Sequence, residues 1–86
     1  MPQISRFFGI IIFMYFDDHN PPHFHAHYGD FKAVISINDF ALLEGKLPAK
    51  TLGLVVEWAV LHKQELLKNW ELMKENKAML KIDPLQ

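Results

Sequence analysis

Histidine alternates with phenylalanine, alanine and tyrosine over residues 23–28, and this alternation constrains the fold more than any other stretch. Successive side chains of a strand point to opposite faces of a sheet. His23, His25 and His27 are therefore expected to share one face, while Phe24 and Ala26 lie on the other. The pattern predicts a two-faced strand with a histidine side.

Further strands are predicted before and after this one. Residues 7–16 form an apolar run rich in aromatic and β-branched residues, which predicts the central, most buried strand of the sheet. Residues 17–22 contain Asp, Asn and paired prolines and predict a turn. Gly29 and Asp30 predict a tight hairpin that leads into a strand over residues 31–37, and residues 40–44 predict a short edge strand that Gly45 ends.

The second half of the chain predicts a helix. Pro48 suits the first helical position, and apolar residues at helical spacing continue to about Asn76. Residues 79–82 predict a short closing strand. The expected fold is α+β, with a three- to four-stranded, mainly antiparallel sheet followed by one long C-terminal helix packed on it. The 86 residues are expected to form a single domain.

A second apolar line on the helix, formed by Leu54, Trp58, Leu61 and Leu72, exceeds what one helix on a sheet requires. Either the chain termini or another subunit would cover it. We predict a subunit interface, with a second copy or another small protein as the partner. Leu54, Trp58 and Leu61 are the candidate interface residues.

Composition narrows the function classes. With no cysteine, disulfides, thiolate metal sites and cysteine nucleophiles are excluded. The net charge of −1 and the dispersed lysines and arginines do not favour nucleic acid as a partner. The ten-residue apolar run is too short for a membrane helix and lacks a cleavage site for a signal peptide, so a cytoplasmic protein is expected.

The strand histidines are candidates for a metal site. His23 and His25, with His19 and an aspartate of the preceding turn such as Asp18, offer the imidazole and carboxylate ligands that suit zinc or another divalent transition metal. The alternative is that these histidines are surface and turn residues on a solvated sheet face. No cofactor is required by the sequence.

A second candidate site lies on the helix. His62 and Glu65 are three residues apart and share a helix face, so Glu65 would orient the His62 imidazole as a general base. His19 is the third catalytic candidate. The alternative for His62 and Glu65 is an ordinary surface pair worth a few tenths of a kcal/mol.

The string from His23 to Tyr28 is also similar to the signature of the histidine-triad nucleotide hydrolases. In that family the motif follows the helices of a longer domain, whereas here it precedes the only long helix. The similarity covers these residues alone and is a minor alternative.

A wider resemblance rests on a run of residues that begins Asp-Asp-His-Asn-Pro-Pro-His-Phe-His and continues through Tyr28-Gly29, Gly45–Pro48, Glu57-Trp58, His62, Glu65-Leu66 and Trp70. It resembles a short bacterial family catalogued as a domain of unknown function. The resemblance implies small proteins encoded beside a second small protein, in gene pairs suspected to be of toxin–antitoxin type. It brings no established reaction.

Two hypotheses from different classes follow. The first is a small cytoplasmic interaction or regulatory module, dimeric or paired with the product of the neighbouring gene. The second is a histidine-based phosphoester hydrolase or nuclease, dependent on a metal if the strand histidines bind one. Both stay open at this point.

Overall fold

The computed structural model describes residues 3–16 and 19–86 and shows an antiparallel sheet with helices on one face. The strands are β1 (Gln3–Phe7), β2 (Ile10–Phe13), β3 (His23–Tyr28), β4 (Phe31–Ser36) and β5 (Leu42–Gly45), followed by the helices α1 (Ala49–Leu61) and α2 (Lys63–Lys74). The strands lie in sequence order across the sheet. The α+β class is confirmed, with five strands instead of three or four and two helices instead of one. Within the described residues, no helix is long and apolar enough to cross a membrane.

The prediction of one central strand over residues 7–16 is wrong, because the chain reverses at Phe8 and Gly9. Both residues have positive φ, 49° and 78°, a conformation that glycine adopts freely and phenylalanine rarely. The reversal pairs β1 with β2 and sets Phe7 opposite Ile10. The centre of the sheet is therefore β3, which pairs with β2 on one side and β4 on the other.

The hairpin between β3 and β4 is confirmed. The two strands flank Gly29 and Asp30, with Tyr28 opposite Phe31. β5 starts two residues later than predicted and ends at Gly45, whose φ is +75°. A Cβ at this position would collide with the backbone carbonyl of Lys32, so the end of the edge strand requires glycine.

The predicted single helix is interrupted at His62, whose φ of −118° departs from the helical value of about −63°. The His62 N–H still donates to the carbonyls of Trp58 and Ala59, and the His62 carbonyl accepts the N–H of Leu66. The chain thus bends between α1 and α2 while its hydrogen bonds continue. No glycine or proline marks the bend, so helix propensity does not reveal it.

The helices cover the face of the sheet that carries Phe24 and Ala26. Trp58 lies at the centre of this core, with its ring centroid 5.3 Å from that of Phe7 and 5.9 Å from that of Phe24. The fully buried core residues include Ile10, Ile12, Met14, Phe24, Ala26, Ile35, Ile37, Val55, Trp58, Ala59 and Leu66.

The C-terminal segment, residues 79–86, contacts Trp58, one member of the second apolar line of the helix. The Trp58 Nε1–H donates to the carbonyl of Asp83 at 2.8 Å, and the Ile82 N–H donates to the carbonyl of Ile4 at 2.8 Å. The segment lies against the core as an extended tail, so the predicted closing strand over residues 79–82 is wrong. Of the two expected covers, the chain terminus lies on Trp58.

Candidate functional site

The three histidines of β3 lie on one face of the sheet, as predicted. Phe24 and Ala26 are buried under the helices, while His23, His25 and His27 are half-buried on the opposite side. We call this opposite side the open face, because the helices pack on the other side of the sheet. At its edge α2 meets it through Trp70, whose ring centroid lies 5.2 Å from that of His23. The strand register adds neighbours from β2, β4 and β5 to the open face. These are Ile11 opposite His27, Phe13 opposite His25, Val34 opposite His25, Lys32 opposite His27 and Glu44 opposite Val34.

Aromatic rings and imidazoles contact one another across the open face. The ring of Tyr15, just beyond β2, meets that of His25 edge to face with centroids 4.5 Å apart. The ring centroid of Phe13 lies 4.7 Å from that of His27 and 6.2 Å from that of Tyr15. The ring centroids of His25 and His23 are 5.2 Å apart. These contacts orient the imidazoles and bury part of each ring.

One open depression of about 380 Å³ is centred on this group. Its lining includes Tyr15, His25, His27, Lys32 and Glu44. Burial lowers the pKa of His27 below 6.5, and the positive charge of Lys32 and the neighbouring His25 lower it further. His27 is therefore neutral at pH 7, with one ring nitrogen that donates and one that accepts a hydrogen bond. The depression combines a neutral imidazole with an ammonium group.

A second depression of about 420 Å³ holds the predicted metal candidates His19, His23 and His25, together with Glu44. The Nδ1 atom of His23 lies 2.8 Å from the carbonyl oxygen of Pro21, which ties this ring to the turn. Among residues 3–16 and 19–86, no group of three His, Cys, Asp or Glu side chains is placed to hold a metal ion. Asp18, the fourth predicted ligand, lies outside the described residues together with Asp17. The metal site stays a prediction.

His62 and Glu65 form the predicted pair, with Nδ1 and Oε1 2.6 Å apart. The pair lies at the bend between α1 and α2, where the His62 ring contacts that of Trp58 at 5.6 Å. Neither residue lines a depression of the open face. The structure therefore separates the helix pair from the strand histidines, and the two candidate sites do not combine.

The predicted interface residues have three different environments. Trp58 is wholly inside the core, Leu54 is half-buried and Leu61 is 66% exposed. Trp58 has no exposed surface, because the core and the Asp83 carbonyl surround its ring, and the subunit interface stays a prediction.

A different apolar surface, which the sequence analysis missed, lies at the end of the sheet where two hairpins turn. Phe8 is 61% exposed, Tyr28 and Phe31 are each 37% exposed, and Leu54 lies beside them. Strand alternation places Tyr28 and Phe31 on the helix side of the sheet, where Tyr28 shares a depression with Lys50 and Leu54 of α1. We call Phe8, Tyr28, Phe31 and Leu54 the aromatic end. The signal that would have revealed it is Gly9, which allows the turn that exposes Phe8.

Comparison with known proteins identifies a family whose model matches this chain. A family model described as a domain of unknown function (DUF4160) matches residues 9–71, which include β2 to β5, α1 and most of α2. No curated protein and no solved structure matches the chain. The match bears out the resemblance to a family of unknown function and assigns no activity.

Proposed function

Since the chain belongs to the family of domains of unknown function DUF4160, whose description carries no reaction, we propose a function from its surfaces. We propose that it is a small cytoplasmic bacterial interaction module that binds a second protein through the aromatic end. In a gene pair of toxin–antitoxin type, that protein would be the product of the neighbouring gene.

The observation that carries this proposal is the exposure of three aromatic rings in one place. Phe8, Tyr28 and Phe31 are exposed at two adjacent hairpin turns, and Phe8 and Tyr28 line a depression of about 420 Å³ together with Leu54 and Lys50. Clustered exposed aromatic side chains are typical of protein-binding sites, where they anchor the contact.

The backbone at Phe8 supports the same proposal. A phenylalanine with φ of +49° holds a conformation that asparagine or glycine would adopt at lower cost. The fold gains little packing from this residue in return, because it is 61% exposed and its ring contacts that of Phe7 edge to face at 6.4 Å. A role in binding explains why an apolar side chain is retained at a turn position that suits a small or polar residue.

We expect the Phe8→Asn variant to lose partner binding and keep its fold. Loss of one aromatic anchor costs about 2 kcal/mol, or roughly thirtyfold in Kd, while asparagine tolerates positive φ and leaves the unfolding midpoint unchanged or raised. The measurement is the affinity for the co-purified product of the neighbouring gene, with the solution mass of the chain alone measured in parallel.

The matched control is Leu80→Asn, which removes an exposed apolar side chain outside the aromatic end. It should bind as the wild type does. A Phe8→Asn variant with wild-type affinity would contradict the proposal, and so would a wild-type chain that stays monomeric and forms no complex. A dimer of this chain that Phe8→Asn dissociates would identify a second copy as the partner.

A second candidate function is histidine-based hydrolysis of a phosphoester. The observation that favours it is the depression in which His25 and His27 lie beside Tyr15 and Lys32, which brings groups able to move a proton next to a positive charge. If the protein has this function, the wild-type chain should cleave a small chromogenic phosphodiester, either without added metal or after addition of Zn²⁺. His25→Ala should abolish the cleavage. Absence of cleavage by the folded wild type under both conditions would exclude it.

A further inference from the structure

A row of side chains crosses the open face from β1 to β4. Arg6 is paired with Ile11, Ile11 with His27, and His27 with Lys32. Residues opposite each other in antiparallel strands share a face, so Arg6 and Lys32 lie on either side of His27. With neighbouring strands about 4.8 Å apart, the two cationic residues are separated by roughly 14 Å at their backbones.

We propose that this row, with the adjacent rings of Tyr15 and His25, binds the phosphate of a nucleotide, either free or within single-stranded nucleic acid. Lys32 and Arg6 supply positive charge to the phosphate, and the His27 ring supplies an N–H donor, which an imidazole carries in either protonation state. Tyr15 and His25 provide half-buried rings on which a base stacks, the combination by which proteins hold single-stranded nucleic acids.

The electrostatics of the described residues favour an anion at this position. Lys32 stands opposite His27 in the pairing of β3 with β4 and lines the depression, so its charge acts there. The ion pairs among residues 3–16 and 19–86 lie on the helices and the segment that follows, and none involves Arg6 or Lys32. Both cations are therefore available to a ligand.

The net charge of −1 is a sum over the whole chain, whereas a bound phosphate responds chiefly to the charges nearest to it. Glu57, Glu65 and Glu71 lie on the helices, on the other side of the sheet from the row. Among the described residues, Glu44 is the only acidic one that lines either depression of the open face. Phosphate binding depends on the local charge around the phosphate. The positively charged row can therefore bind it although the net charge of the chain is slightly negative.

Glu44 offers a way to test whether the site binds an anion or a cation. Its carboxylate lies on the same depression as Lys32, where it would repel a phosphate and attract a cation. If the site binds an anion, neutralising Lys32 should lower the affinity for the ligand and neutralising Glu44 should raise it. A site for a cationic or protein ligand predicts that loss of Glu44 weakens binding.

The experiment measures fluorescence anisotropy of a labelled short single-stranded RNA of mixed sequence, at low and at moderate salt. We expect Lys32→Gln to weaken binding about tenfold and to lower the slope of log affinity against log salt by about 1. Glu44→Gln should bind more tightly than wild type. Lys68→Gln, an equal loss of charge from the exposed side of α2, should bind like the wild type.

Competition identifies the source of the phosphate. Displacement of the RNA by AMP, with inorganic phosphate much weaker, would support a free nucleotide as ligand, while failure of both to compete would support single-stranded nucleic acid. Inorganic phosphate as effective as AMP would overturn the base-stacking part. Equal affinities of the Lys32→Gln and Lys68→Gln variants, or no salt-dependent binding by the folded wild type, would overturn the proposal as a whole. The row lies on the opposite face from the aromatic end, so these outcomes are independent of partner binding.

Discussion

Replacing Trp58 with alanine is expected to lower the free energy of unfolding by about 3–5 kcal/mol, as large-to-small changes of buried aromatic residues do. The Trp58 side chain is wholly buried against Phe7 and Phe24, and its indole N–H donates to the Asp83 carbonyl. Truncation would leave a cavity in the core and would detach the tail from α1. Urea unfolding followed by circular dichroism measures the effect.

Leu61→Ala is the matched control, because Leu61 lies one turn further along the same helix and is 66% exposed. A surface substitution of this kind changes stability by less than about 0.5 kcal/mol. Trp58→Phe should fall between the two, since it keeps most of the ring packing and loses the hydrogen bond. If Trp58→Ala left the free energy of unfolding unchanged but lowered the solution mass, the result would contradict the core role of Trp58 and support the subunit interface predicted from the sequence.

Replacing Asn69 with alanine is expected to cost about 2–4 kcal/mol and to release the tail. Asn69 is 1% exposed, its Nδ2–H donates to the Leu80 carbonyl at 2.8 Å, and its Oδ1 accepts the Leu80 N–H at 2.8 Å. Alanine would leave two backbone groups of the tail without partners, which adds a desolvation cost to the lost hydrogen bonds. Hydrogen exchange of residues 79–86 and the unfolding midpoint together measure the effect.

The control for Asn69 is Gln64→Ala, which removes an exposed side-chain amide from the same helix. It should leave both the midpoint and the exchange of the tail unchanged. Wild-type protection of the tail in a folded Asn69→Ala variant would show that Ile82 and Leu85, which are buried in the core cluster, suffice to hold it. A loss of tail protection, with the Trp58 environment becoming more polar, is the expected result.

Local patterns correctly predicted the hairpin between β3 and β4 and the contact between His62 and Glu65. β3 and its turn follow from the period-two alternation and from Gly29-Asp30, and both signals act over a few residues. The contact between His62 and Glu65 follows from their helical spacing alone. By contrast, the reversal at Phe8 and Gly9 occurs inside an apolar run, where no polar residue marks it, so a strand pattern hides the turn.

The candidate site was predictable only in part. Alternation placed three imidazoles on one face, but the neighbours that give this face its chemistry are Tyr15 and Lys32, and the register of β2 and β4 against β3 brings them there. Register depends on which strands pair, and the predicted single strand over residues 7–16 hid the hairpin between β1 and β2. The aromatic end depends on the same hairpin.

The sequence by itself determined the α+β class, the two-faced strand with its shared histidine face and the absence of cysteine chemistry, because each follows from residue type or from spacing along the chain. Only the tertiary structure decided what covers Trp58, which face the helices occupy and which charges lie beside His27. Asp83 is 25 residues from Trp58, and no local pattern encodes a contact across that separation. The tail covers the helix because burial of its apolar side chains, together with the hydrogen bonds to Asn69 and Trp58, offsets the entropy of ordering it.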